Sequence, residues 1–214
     1  MKRFVVSCFA LAFAVGAFAQ SDSLLNEGLA YERGEGGAQN FARAAECYRA
    51  AAAKGNAAAA LRLGEFAFYG YGGQADSAQA FALFKQAADA GDLDAIWWLG
   101  VCLQKGYGTP ASPEDAVDCY ECAAAKGLAK AQNSLGVCLK YAIGTEKDYV
   151  RATELFKAAA LQGDINGMNN YGYMLDFGLG VATDHEAAVY WWRKAAEQEH
   201  QTAIYRLVDR GLYE

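Results

Sequence analysis

Glycine falls in three registers along this chain, and in each the step is 36 residues. Gly28, Gly64, Gly100, Gly136 and Gly172 form the first. Gly36, Gly72, Gly108, Gly144 and Gly180 form the second. Gly55, Gly91, Gly127 and Gly163 form the third, which ends in Glu199. A fixed period of this length marks a repeat architecture, in which one unit cannot bury its apolar face alone and stacked neighbours complete the core.

The residues between the columns read as helix pairs. Asn40, Asp76, Ser112, Asp148 and Asp184 stand four after the second column. Their side chains suit a helix start, where they accept from unpaired N–H groups. Pro113 follows Ser112 at the first helical position, where its missing N–H is harmless. The helix that follows repeats Ala44, Ala80, Ala116, Ala152 and Ala188 without change. Three later come Cys47, Leu83, Cys119, Leu155 and Trp191. Then follow Tyr48, Phe84, Tyr120, Phe156 and Trp192, and paired alanines close the stripe. Those offsets mark one buried helical face. The third glycine column supplies the left-handed residue just past that helix.

The other helix of each unit carries Ala59, Ala95, Ala131, Gly167 and Ala203, then Leu63, Leu99, Leu135, Tyr171 and Leu207 beside the first glycine column. A glycine inside a helix costs ~1 kcal/mol against alanine. Five of them at one position imply a gain from the missing side chain, namely close approach of a neighbouring helix. At the sixth copy that position is Val208, and no second helix follows. The expected architecture is all-α: five helix pairs at about 20–55, 56–91, 92–127, 128–163 and 164–199, then a C-terminal capping helix in 200–214. Arg206, Asp209, Arg210 and Glu214 are expected to wet the outer face of that cap.

Residues 1–19 have the anatomy of a secretory signal peptide: Lys2 and Arg3, then the uncharged run FVVSCFALAFAVGAF, then AFA before Gln20. Cleavage after Ala19 and a periplasmic or secreted location are expected, with no integral membrane anchor afterwards. Removing Lys2 and Arg3 from 19 basic residues leaves 17 against 25 acidic ones, a net charge of −8. So acidic a chain has no electrostatic footprint for nucleic acid.

The stretch AIWWLGVCLQKGYGTPASPEDAVDCYECAAAKG resembles the Sel1-like repeat, a relative of the tetratricopeptide repeat. Its pattern of A-x-x-x-L-G, G-x-G, a capping Asp, an aromatic and A-A-x-x-G runs through essentially all of the chain after residue 19. The resemblance implies a right-handed α/α solenoid acting as an adaptor for a protein or peptide partner. A cysteine-rich, exported branch of the family is described as penicillin-binding or weakly β-lactamase-like, which supplies the alternative function. That branch bridges neighbouring helices with closely spaced cysteine pairs. Here successive cysteines from Cys47 to Cys138 stand 55, 17, 3 and 16 residues apart, a departure from its pattern.

Cys102 and Cys138 share a column with Ala30, Phe66 and Met174, so they read as core. Two readings stand for them: small hydrophobes, or a disulfide joining Cys119 to Cys102 or Cys138. Cys47 reads as a free thiol and Cys122 as half-exposed. CYEC at Cys119–Cys122 sits in mid-helix, without the strand-to-helix setting of a redox C-x-x-C. His185 and His200 read as surface and capping residues. The sequence has no H-E-x-x-H, G-x-S-x-G or phosphate loop. No enzyme, metal or cofactor is expected.

In the related tetratricopeptide arrangement the first helices line a concave groove. The resemblance then puts Trp97, Trp98, Asn133, Asn169, Asn170 and Tyr173 on that face as partner-binding residues. Amide side chains hold a peptide backbone by donating and accepting at once, and tryptophan anchors interfaces.

Overall fold

The protein is described by a computed structural model that covers residues 8–213, with side chains from Gln20 onward. The start of the expected signal segment and Glu214 lie outside the described residues. Among those described there are eleven α-helices and no strand. They are α1 (Cys8–Arg33), α2 (Phe41–Ala52), α3 (Ala57–Tyr69), α4 (Ser77–Asp89), α5 (Leu93–Lys105), α6 (Pro113–Ala125), α7 (Ala129–Tyr141), α8 (Tyr149–Leu161), α9 (Ile165–Phe177), α10 (His185–Ala196) and α11 (Gln201–Asp209). No described helix is long and apolar enough to cross a membrane.

The chain divides into two compact units, one of residues up to 95 with 107–109, the other of 96–106 with 110–214. Helix α5 contributes to both. In the first unit α1 packs on α2, α3 on α4, and α2 on α3. Tyr48, Leu63 and Phe66 fill one cluster there, and Ala51, Ala52, Ala59, Ala60, Ala87 and Ala95 another. In the second unit α7 packs on α8 and α9 on α10, while α6–α7, α8–α9 and α10–α11 join successive pairs. Tyr120, Leu135, Phe156, Met174, Trp192 and Leu207 are buried in one continuous core. The helix-pair repeat of the α/α solenoids is thus the all-α fold class of this chain.

The first glycine column meets the aromatic column. A Cβ added to Gly100 would stand 2.5 Å from the Tyr120 ring, and one at Gly136 or Gly172 would stand 2.7 Å from Phe156 or Trp192. Gly28 faces Tyr48 and Gly64 faces Phe84 in the same way. In each pair a flat ring lies directly on helical backbone.

The second column has a different reason. Gly144 has φ +66°, and a Cβ there would stand 2.2 Å from the Pro113 carbonyl oxygen. The turn after α7 therefore rests on the start of α6, the second helix of the repeat before. The third column supplies left-handed residues in open space, and Glu199 keeps that conformation at φ +62° although it is not glycine.

Helix starts follow the expected chemistry with one exception. Asn40, Asp76, Asp148 and Asp184 accept from the backbone N–H three residues on. Ser112 makes no such bond; its hydroxyl donates to the Asp115 carboxylate at 2.7 Å. His200 caps α11, its Nδ1 accepting from the Ala203 N–H at 3.2 Å. That bond requires an unprotonated Nδ1, and burial lowers the His200 pKa in the same sense.

The cap differs from expectation. Arg206 turns inward and donates to Asn169 on α9, whereas Asp209 and Arg210 are exposed as expected, Arg210 while donating to Asp176. Tyr205, 70 % exposed, and Val208, 54 % exposed, take the outer positions. The cause is the pull of α9, where the Asn169 side-chain oxygen draws the Arg206 guanidinium across the helix interface.

If the ring-on-backbone contact governs packing, Gly136→Ala will destabilise the protein despite alanine's better helix propensity. Overpacking of this kind costs ~1–3 kcal/mol. Gly37→Ala, whose Cβ would meet nothing within 4 Å, is the control and stays within about 0.5 kcal/mol of wild type. Urea unfolding of both variants checks this.

Candidate functional site

The first helices of the second unit present one shared face, with Trp97 on α5, Asn133 and Ser134 on α7, Asn169, Asn170 and Tyr173 on α9, and Arg206 on α11. The same 36-residue period that equalises the backbones places these side chains in register. Their contacts run one residue beyond the period. Trp97 Nε1 donates to Ser134 Oγ at 2.9 Å, Asn170 Nδ2 to Asn133 Oδ1 at 2.8 Å, and Arg206 to Asn169 Oδ1 at 2.5 Å. Each bond spans 37 residues, so the face is a hydrogen-bonded ladder from α5 to α11.

The ladder changes what the expected residues can do. Trp98 is 7 % exposed, with its ring 5.0 Å from Trp97; it is a core residue rather than an accessible anchor. Asn169 is buried as well. Its side-chain oxygen is taken by Arg206, and its backbone oxygen accepts from Trp192 Nε1 at 3.2 Å. Trp97, Asn133, Asn170 and Tyr173 remain half-exposed. The Asn133–Asn170 bond uses one acceptor and one donor of the pair, so the two amides retain further capacity for a backbone.

Cations stand on the aromatic members. Lys130 Nζ lies 4.4 Å from the Trp97 ring centroid. Lys140 Nζ lies 3.6 Å from the Tyr173 centroid, and the Arg206 guanidinium 4.9 Å from the same ring. Phe177 packs against Tyr173 with centroids 4.6 Å apart. Sequence reasoning did not single out Lys130 or Lys140. Lysine on a helix reads as a solvated charge, whereas Lys140 is 7 % exposed. Burial, then the neighbouring Arg206, brings its pKa down to about 8.

The cysteines lie elsewhere. Cys47, Cys102, Cys119, Cys122 and Cys138 are all free thiols, so the bridge from Cys119 to Cys102 or Cys138 is not formed in this structure. Cys102 and Cys138 are fully buried, and Cys122 is exposed rather than half-exposed. Burial pushes the Cys102, Cys119 and Cys138 thiols up to about 11, which keeps them protonated and unreactive near neutral pH. Among the described residues no group of three His, Cys, Asp or Glu side chains is placed to hold a metal ion. His185 is exposed, its Nδ1 2.9 Å from Asp176. Nothing in these arrangements favours the penicillin-binding alternative.

The two tryptophans are expected to separate on mutation. Trp98→Ala removes a buried indole and should cost ~3–5 kcal/mol. Trp97→Ala loses chiefly one hydrogen bond and a partly exposed ring, with a loss nearer ~1 kcal/mol. Denaturant unfolding of each single variant measures the difference.

The profile of the Sel1 repeat matches this chain at residues 21–56, 57–92, 93–128, 129–164 and 165–200. Comparison with curated protein sequences finds no match. Among solved structures, a Sel1 repeat protein from Oxalobacter formigenes is similar, with a TM-score of 0.82 and 25% identity over 88% of this chain and 75% of that one. A protective antigen of uropathogenic Escherichia coli with an SLR fold has a TM-score of 0.75 and 28% identity over 87% of this chain. This chain spans 40% of that antigen's length. An immunity protein of Pseudomonas aeruginosa shares the fold, with a TM-score of 0.59 and 20% identity over 86% of this chain and 68% of that one. The five consecutive matches, in the register set by the glycine columns, place the chain in the Sel1 repeat family.

Proposed function

We propose that this protein is an exported, non-enzymatic scaffold that binds a protein or peptide along the first-helix face of its second unit. Sel1 repeats generally mediate protein–protein interaction, and proteins built from them are generally scaffolds rather than enzymes. The observation that carries the choice of face is the ladder itself. It fixes Trp97, Asn133 and Asn170 on three helices, and Tyr173 stands beside them against Phe177 and Arg206, so half-exposed rings lie beside amides that keep spare donors and acceptors. A preordered row of this kind loses little side-chain entropy when an extended chain lies against it.

Export rests on the residues before Gln20. From there on α1 is tied into the fold: Lys54 donates to Gln20 at 3.0 Å, Asn56 donates to Asp22 at 2.9 Å, and Ser21 is 1 % exposed. Cleavage after Ala19 would leave these contacts intact.

Two measurements test the reading. Crosslinked capture from the native envelope compares wild type with Trp97→Ala/Asn133→Ala/Asn170→Ala, after unfolding curves confirm that the variant is folded. Partners retained by wild type should be lost from the variant; an unchanged set of captured proteins would sink the choice of face. Intact-mass measurement of the protein recovered from the envelope should give a chain beginning at Gln20. A mass that includes residues 1–19 would contradict cleaved export.

A further inference from the structure

One position of each first helix recurs as Glu32, Phe68, Gln104, Lys140 and Asp176. Three of its polar members find polar partners inside the fold. Glu32 accepts from the Tyr48 hydroxyl and the Arg62 guanidinium. Gln104 accepts from the Tyr120 hydroxyl at 3.1 Å and directs its amide at Cys138 Sγ, 3.9 Å away. Asp176 accepts from Arg210 at 2.6 Å and faces His185 at 2.9 Å. The residue sixteen further on supplies the hydroxyl in two of these cases, as Tyr48 and Tyr120. In the repeat of Lys140 that residue is Phe156, which has no hydroxyl.

Lys140 is accordingly surrounded by rings and positive charge. Its ammonium is 3.6 Å from the Tyr173 centroid and 4.9 Å from the Tyr141 centroid. Arg206 stands on the same Tyr173 ring at 4.9 Å. Among the described residues no carboxylate lies within salt-bridge reach of Lys140; Asp176, the acid near Arg206, is engaged by Arg210 and His185. Buried charges are ordinarily paired, and an aromatic face offsets the loss of water in part. Asn169 takes one donor of Arg206, and a guanidinium carries five.

We propose that Lys140, Arg206 and Tyr173 form a carboxylate-binding site, filled by an acidic group of the partner that lies along this face. This rests on the reading that the face binds a protein or peptide. The lysine stem is flexible enough to carry the ammonium to an incoming oxygen, and the guanidinium fork matches carboxylate geometry. Exposed Tyr141 and Phe177 flank the site, at 60 % and 56 % exposure, and offer apolar contact to the residue beside the acid. The whole chain carries a net charge of −6, so it does not draw acidic peptides in at long range. The site instead fixes where along the face an acid can sit, which is specificity and register rather than general attraction.

The groups facing Lys140 are Tyr141, Tyr173 and Arg206, with Asp176 and Arg210 behind Arg206. A bound carboxylate favours the charged ammonium and raises its pKa from about 8, so binding tightens as pH falls through that value and weakens above it.

The test is an NMR titration of the full chain with labelled lysine, the Lys140 signal being assigned by its absence in Lys140→Met. Four probes are used: acetyl-Gly-Phe with a free C-terminal carboxylate, acetyl-Glu-Phe-amide, acetyl-Gly-Phe-amide, which has no acid, and inorganic phosphate. A saturable shift of Lys140 with either acid, an upward move of its pKa and at least tenfold weaker binding to Arg206→Gln are expected. The first two probes separate a chain terminus from an acidic side chain as the source. No saturable shift, an equal shift with the neutral amide, or a response to inorganic phosphate alone overturns the site. Those failures leave the capture experiment with the Trp97, Asn133 and Asn170 variant unaffected, so the scaffold reading is judged separately.

Discussion

An aromatic ring lying on the bare backbone of a helical glycine is the contact on which the rest of this protein depends. Gly28 with Tyr48, Gly64 with Phe84, Gly100 with Tyr120, Gly136 with Phe156 and Gly172 with Trp192 repeat it in each pair. The ring removes a large apolar area from water, and the missing Cβ lets the two helices approach until the ring is covered. Once that distance is set, the invariant alanines at 44, 80, 116, 152 and 188 fit between the helices with no exposure. The turn glycines can then rest on the helix start of the preceding repeat. The candidate face inherits its precision from this core: first helices held at a fixed spacing bring residues 37 apart within hydrogen-bond reach.

Much of the fold was legible because its causes are local and periodic. The glycine columns, the aromatic that follows and the capping Asp or Asn each act at a fixed offset, so the sequence displays them directly. Ser112 shows where local reading stops: a serine suited to capping is diverted by a carboxylate at Asp115, a competition that residue type alone does not decide.

The site was less legible. Equivalent residues lie 36 apart in sequence, and column reading treats them as neighbours. Helical side chains lean along the helix, so the contacts connect residues 37 apart instead. That offset turned three apparently free asparagines into one bonded pair and one buried acceptor. Trp97 and Trp98 are adjacent in sequence yet point about 100° apart on a helix, which sends one toward Ser134 and the other into the core. Lys140 reads from sequence as an ordinary helical lysine; its setting depends on Phe156 lacking a hydroxyl and on Arg206 folding back from α11, and the second of these is a tertiary fact.

The ladder also distinguishes repeats that the backbone treats as equal. A ring on a glycine is the same contact wherever it occurs, and it would survive any shuffling of the helix pairs. Trp97 with Ser134 and Asn133 with Asn170 are each divided between two consecutive repeats, and Asn169 with Arg206 between the fifth repeat and the capping helix. The fourth and fifth repeats therefore each hold one half of a bond with the neighbour before and one half of a bond with the neighbour after. The core encodes a stack, and the face encodes the order in which its layers are read.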